Sequence, residues 1–250
     1  MTPRSGSTLL CDYLAQSEVA GRPEEYFLAE SWDGLLAAHG VADAQALVAK
    51  IAAAGTGDNG VFGVKIGIGG GMFGRMLHAV EAATGDPGLD GIWAAFGPPT
   101  FIWATRRDKL RQAISWWRAI QTGRWRHTDP DPDPEPDPEP DPEPDQGVDP
   151  PDAIDHDAVS HLLRELAHRE AAWDRFFQDS GVVPITVVYE DWTRRREDTL
   201  RDLFRTLDEH PASLPVDSSL RRQADAHTER WRAEIIERAE AGWRNPTSSP

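Results

Sequence analysis

A single cysteine, Cys11, stands in 250 residues, so neither an intrachain disulfide nor a cysteine-rich metal site can be built. A reducing compartment fits that usage. No apolar run reaches the length of a membrane span, and the opening Met1-Thr2-Pro3-Arg4-Ser5-Gly6-Ser7 has neither an apolar core nor a cleavage pattern. The expectation is a soluble, cytoplasmic protein without a membrane partner. Positive charge is also short, with 26 Lys and Arg against 42 Asp and Glu and a net charge of -16. Such an excess of acid disfavours nonspecific binding to nucleic acid or an acidic lipid surface, while leaving room for a local basic pocket that takes a small anion. Small molecules are the expected partners.

The charge deficit is concentrated. Residues 129–145 hold six Asp, three Glu and eight Pro with no Lys or Arg, so this tract supplies nine negative charges and the rest of the chain only -7. Alternating Pro and acid cannot bury apolar area, and an extended, disordered insert over 129–151 is expected inside one domain spanning 1–250. The tract reads either as an acidic arm that docks a basic partner or as an inserted surface loop. The second is preferred, because this composition need not form a packed surface.

Elsewhere short apolar runs alternate with helical patterns. Helices are expected over Ser7–Ser17, Trp32–Ala54, Met72–Ala83, Asp108–Gln121, Ile154–Phe177, Thr193–Leu207 and Gln223–Ala241, with Asp108 as a cap. Val61–Ile66, Thr100–Thr105 and Ile185–Tyr189 read as buried strands. Strand-then-helix repetition indicates a three-layer α/β unit with a mostly parallel sheet, in which ligands bind at the carboxyl ends of the strands.

Arg4-Ser5-Gly6-Ser7-Thr8 runs directly into the first helix. Backbone N–H groups at a helix start, several hydroxyls and one guanidinium form a cradle for an anion, and Gly6 lets the backbone approach it. The spacing and lysine of a nucleotide-hydrolase P-loop are absent, and a plain helix cap is an equal reading of the same residues. Glu24 and Glu25, beside Tyr26 and Phe27, are either surface acids or the source of a general base at the rim of the anion site. Arg106 and Arg107 follow the Phe101–Thr105 strand, with Gln112, Ser115 and Arg118 on the next helix; together they could hold a second phosphate, or form a salt-bridged strand end. His156, His161, Glu165 and His168 match no zincin spacing and read as a solvated helix face, so no metal is expected. Trp103, Trp116, Trp117 and Trp173 read as packing residues, and Trp125 as a candidate for lining a pocket.

Thr2 to Leu10, then Val19-Ala20-Gly21-Arg22-Pro23-Glu24-Glu25-Tyr26-Phe27, resemble the opening of the trehalose 2-sulfotransferase family of bacteria. The block Arg106 to Trp125 resembles that family's central block, and Arg222-Gln223-Ala224-Asp225 with Trp231 resembles its C-terminal motif. The order and approximate separation of the blocks agree over most of the chain. The resemblance implies a P-loop-like sulfotransferase fold and 3'-phosphoadenosine 5'-phosphosulfate (PAPS) as sulfuryl donor. It places Arg4, Ser5, Gly6, Ser7 and Thr8 on the 5'-phosphosulfate, Arg106 and Ser115 on the 3'-phosphate, and Arg222 and Gln223 over the nucleotide. By the same resemblance Glu25 is the general base toward a carbohydrate or small-metabolite hydroxyl, and Lys65 and Trp125 support the substrate pocket. A homodimer is also implied, although no exposed stripe of the sequence establishes one.

Two departures from the family pattern are visible. Only three residues precede Arg4, where relatives carry a strand, so the fold is expected to lack its first strand. Gly67-Ile68-Gly69-Gly70-Gly71 follows Lys65 in place of a polar stretch near the acceptor, which puts trehalose in doubt as the substrate. The competing expectation is a catalytically impaired nucleotide-binding or interaction protein. A small-molecule kinase is disfavoured by the missing P-loop lysine.

Overall fold

The computed structural model describes residues 1–125, 151–215 and 226–242. The 129–145 tract, Arg222 and Gln223 lie outside the described residues. In chain order the elements are α1 (Ser7–Gln16), α2 (Trp32–His39), α3 (Ala44–Gly55), α4 (Met72–Thr84), α5 (Gly88–Phe96), β1 (Ile102–Thr105), α6 (Lys109–Thr122), α7 (His156–Ser180), β2 (Ile185–Val188), α8 (Tyr189–Trp192), α9 (Arg196–Thr206) and α10 (Ala226–Gly242). The chain divides into two compact units, Met1–Arg107 with Ala167–Ser218, and Asp108–Leu166 with Ser219–Pro250.

The first unit is α/β. β1 and β2 pair in parallel, with Ile102 opposite Ile185 and Thr105 opposite Val188. Both carboxyl ends therefore open on one edge, where β1 continues into Arg106-Arg107 and β2 into α8. Two apolar clusters flank this framework. Leu10, Tyr13 and Leu14 of α1 pack with Ala104, Val187, Trp192, Leu200, Leu203 and Phe204, so the inner face of α1 is buried against the strands and α9. Phe27, Leu35, Leu47, Ile51, Met76 and Val80 form the second cluster, under α2 to α5. Burial of such side chains contributes roughly 1.5–3 kcal/mol each relative to exposure.

Two sequence expectations are modified here and one element is added. The region Trp32–Ala54 is two helices, because Gly40 ends α2 in a left-handed conformation and Asp43 starts α3 by accepting a hydrogen bond from the Ala46 N–H at 2.8 Å. Val61–Ile66 is extended but not a ladder strand: Val64 bridges Glu24 in parallel and Phe62 bridges Thr56 antiparallel, each as an isolated contact. Its partners are scattered: the Gly57 N–H donates to Val61 O at 2.9 Å and the Gly63 N–H to Gly55 O at 3.0 Å, while Val64 turns to Glu24. Asp86-Pro87-Gly88, which resembles a loop, leads into the unanticipated α5.

In the second unit, Ala113, Ile114, Trp116 and Trp117 of α6 pack with Ile154, Val159, Leu162, Leu166 and Trp231. The Trp117 and Trp231 rings meet edge to face at 5.3 Å. Asp108 caps α6 as expected, its Oδ1 accepting from the Arg111 N–H at 2.9 Å. His156 pairs with Glu234 at 2.8 Å. No single helix among the described residues is long and apolar enough to cross a membrane.

Candidate functional site

The loop before α1 is conformationally unusual. Arg4 has φ 59° and Gly6 φ 81°, so left-handed residues flank Ser5 on both sides. Alternation of this kind turns successive backbone N–H groups toward one concavity, and the N-cap residue, Gly6, offers no side chain to cap α1. Ser5 is 1 % exposed, and among the described residues its Oγ has no hydrogen-bond partner. A buried orphan hydroxyl costs about 1–3 kcal/mol and marks a position that an incoming acceptor would satisfy. Ser7 Oγ donates to Met1 Sδ at 3.2 Å. The Met1 amine in turn donates to Ile66 O at 2.9 Å, which ties the loop to the segment after Lys65.

Lys65 joins that loop to the candidate base. Its Nζ donates to Thr8 Oγ1 at 2.6 Å and lies 3.4 Å from Glu25 Oε1. The isolated bridge between Glu24 and Val64, with the Lys65 N–H donating to Glu24 O at 3.0 Å, sets the two side chains next to each other. The Lys65 side chain is 6 % exposed and that of Glu25 27 %, so the ammonium is enclosed while the carboxylate keeps a face to solvent. Lys65 donates only, so it orients Glu25 and leaves the carboxylate a free lone pair for a substrate proton.

At the carboxyl edge of the sheet, Arg106 is buried against the residues after β2. Its guanidinium sits 4.8 Å from the Tyr189 ring centroid, and its Nε lies 3.6 Å from Glu190 Oε1. The Arg107 N–H donates to Glu190 Oε2 at 3.0 Å, and the Arg107 side chain pairs with Asp191. Tyr189 also closes on the phosphosulfate-loop candidate: a Cβ placed on Gly6 would lie 2.4 Å from Tyr189 Cδ2. Tyr189 was not among the sequence candidates. Its one legible signal is its position, directly after a strand at the ligand-binding edge.

The glycine run after Lys65 is occupied by arginines. A Cβ on Gly69 would fall 2.5 Å from the Arg169 guanidinium carbon, so the missing side chain is what allows that group to lie against the backbone. Arg75 donates to Gly70 O at 2.9 Å and to Phe27 O at 3.1 Å, tying the glycine run to the turn that follows Glu25. In the second unit, Ser115 lies on α6, and Trp125 beyond it is 49 % exposed.

The first unit thus gathers Arg4 to Thr8, Glu25, Lys65 and Arg106 around two strand ends. Comparison with known proteins finds relatives over most of the chain. The chain is 28 % identical over 262 residues to the trehalose 2-sulfotransferase of Mycobacterium tuberculosis (strain ATCC 35801 / TMC 107 / Erdman), covering 92 % of this chain and 90 % of the relative. It is 28 % identical over 259 residues to the trehalose 2-sulfotransferase of Mycolicibacterium smegmatis (strain ATCC 700084 / mc(2)155), covering 91 % and 89 %. Residues 1–238, from the loop before α1 into α10, match one family throughout, and the chain belongs to the Stf0 sulphotransferases.

Proposed function

We propose that the chain transfers a sulfuryl group from PAPS to a hydroxyl of a trehalose-like carbohydrate or other small metabolite, with Glu25 as general base. Family membership supports PAPS-dependent sulfuryl transfer in general. The observation that carries the residue assignment is the buried Lys65 ammonium between Glu25 and Thr8, at 3.4 and 2.6 Å. It links a carboxylate able to take a proton with the loop able to hold an anion.

When bound, the donor supplies the sulfuryl group and a phosphate leaving group. Ser5, with its unpartnered hydroxyl, and the left-handed backbone of Arg4 and Gly6 fit the phosphosulfate end of such a molecule. The N–H groups at the start of α1 and the Thr8 hydroxyl would stabilise negative charge there, and Arg106 would hold the second phosphate. Glu25 accepts the proton of the acceptor hydroxyl, and Lys65 keeps its carboxylate aimed. By resemblance alone, Ser115, Arg222 and Gln223 are assigned to the nucleotide and Trp125 to the acceptor. Trehalose is the acceptor named for the two relatives; here the arginine-backed glycine run argues for testing anionic sugars beside it.

The test is Glu25→Gln. Calorimetry with 3'-phosphoadenosine 5'-phosphate (PAP) should show binding kept, while sulfuryl transfer to a panel of sugars falls by roughly 10²–10⁴-fold, the usual worth of general-base catalysis. Unchanged turnover removes Glu25 from that role. Absence of PAP binding by folded wild-type chain would favour the impaired or interaction-protein reading instead.

A further inference from the structure

We infer that Tyr189 is a positioning residue that mechanically joins the two anion-binding elements of the site, setting the distance between the Gly6 loop and Arg106. The inference rests on the donor-binding reading above. Two contacts carry it. One edge of the ring presses on Gly6, where an added Cβ would lie 2.4 Å from Cδ2 and 2.9 Å from Cε2. The same ring carries the Arg106 guanidinium at 4.8 Å from its centroid.

A planar ring suits both duties. Its edge is thin enough to lie against a left-handed glycine, and its negative π-face attracts a cation while leaving the guanidinium N–H fork directed elsewhere. Arg106 is further steered by Glu190, the next residue in the chain, whose Oε1 lies 3.6 Å from its Nε. The other oxygen of Glu190 accepts from the Arg107 N–H at 3.0 Å, so the turn after β1 is fixed to the same dipeptide. Tyr189-Glu190 therefore acts as a spacer block: the ring touches both anion-binding elements, and the carboxylate prevents Arg106 from swinging off it. The ligand class this spacing selects is a nucleotide bearing anionic groups at both ends of its ribose. A nucleotide with one phosphate uses only one of the joined elements and gains nothing from the spacing.

The experiment is PAP titration of the full chain by calorimetry, with adenosine 5'-monophosphate as the single-phosphate probe. Tyr189→Phe keeps ring and face and should bind PAP within about twofold of wild type. Tyr189→Leu removes the π-face and should weaken PAP about tenfold or more, the fold-change corresponding to a lost, partly desolvated cation–π contact, while adenosine 5'-monophosphate changes much less. In an Arg106→Ala background the loss from Tyr189→Leu should shrink, because the ring then has no guanidinium to place. Tyr189→Met, which keeps bulk, is made alongside in case the leucine variant does not fold. Equal weakening of both nucleotides, a phenylalanine variant as weak as leucine, or an undiminished effect without Arg106 overturns the inference and leaves a merely structural tyrosine. Failure of wild type to bind PAP overturns the donor reading, and this inference with it.

Discussion

Gly6 is held by two independent constraints. Its φ of 81° lies where L-residues are strained, and the space a Cβ would need is taken by Tyr189. Gly6→Ala should therefore cost stability and remove PAP binding together, a pairing that thermal melting and calorimetry on one sample would reveal. Lys65 is a different case, since it has chemistry rather than shape to supply. Lys65→Met keeps the stem and deletes the ammonium, leaving Glu25 unoriented and Thr8 without its donor. Turnover should fall by at least tenfold with the fold intact by circular dichroism, and a variant of wild-type rate would dissociate Lys65 from the base. Cys11 carries no such role: burial pushes its thiol up to about 12 from 9.0. Because the thiol resists ionisation only in the folded chain, its contribution to stability is full below pH 9 and is lost as the pH rises toward 12. Ellman's reagent at pH 8 should label native protein at least tenfold more slowly than protein in denaturant.

Among elements, α6 has the most explicit start signal. Asp108 caps it through Oδ1 and meets Arg232 Nε at 3.3 Å through Oδ2, so one side chain both begins α6 and ties α10 to it. Asp108→Ala should destabilise by about 1–2 kcal/mol, the upper range for a lost cap, and chemical denaturation would measure it. Such caps are legible in sequence because their partners lie within three residues. α6 is legible for that reason, and β1 and β2 because a short apolar run is bounded by turn residues. Val61–Ile66 shows the opposite case. Its composition is that of a strand, but a ladder needs a second chain segment in register, and only Val64 and Phe62 find one. The split between α2 and α3 was hidden in a nearly continuous apolar pattern, although Gly40 and Asp43 carry the stop and start. Of the site, Glu25 and the Arg4–Thr8 loop stand out by residue type. Tyr189 does not, since its meaning depends on the packing of α1 and β1 beside β2, contacts far apart along the chain.

At the scale of the whole molecule, charge and topology both bear on binding. The net charge of -16 opposes the approach of a polyanionic nucleotide, and 129–145 supply nine of those negative charges. Deleting that tract should speed PAP association in stopped flow at low salt, with the difference vanishing near 0.5 M, where the screening length is only a few ångströms. Equal rates at all salt concentrations would show that the acid excess does not influence ligand approach.

The parallel pairing of β1 with β2 has a further consequence. Arg107 and Glu190, hydrogen bonded at 3.0 Å, are 83 residues apart along the chain, and the acidic tract falls inside that interval. Loop-closure entropy grows only with the logarithm of length, so removing 129–145 from the interval changes the cost of bringing the strands together by about 0.2 kcal/mol. The acidic tract is thus a stretch whose length can change at little entropic cost to the meeting of the two strand ends, whereas α6 and α7 in the same connection are fixed by their packing. What that connection does govern is timing. During synthesis the carboxyl edge cannot form until Glu190 has left the ribosome, so this edge is completed late in the life of each nascent chain.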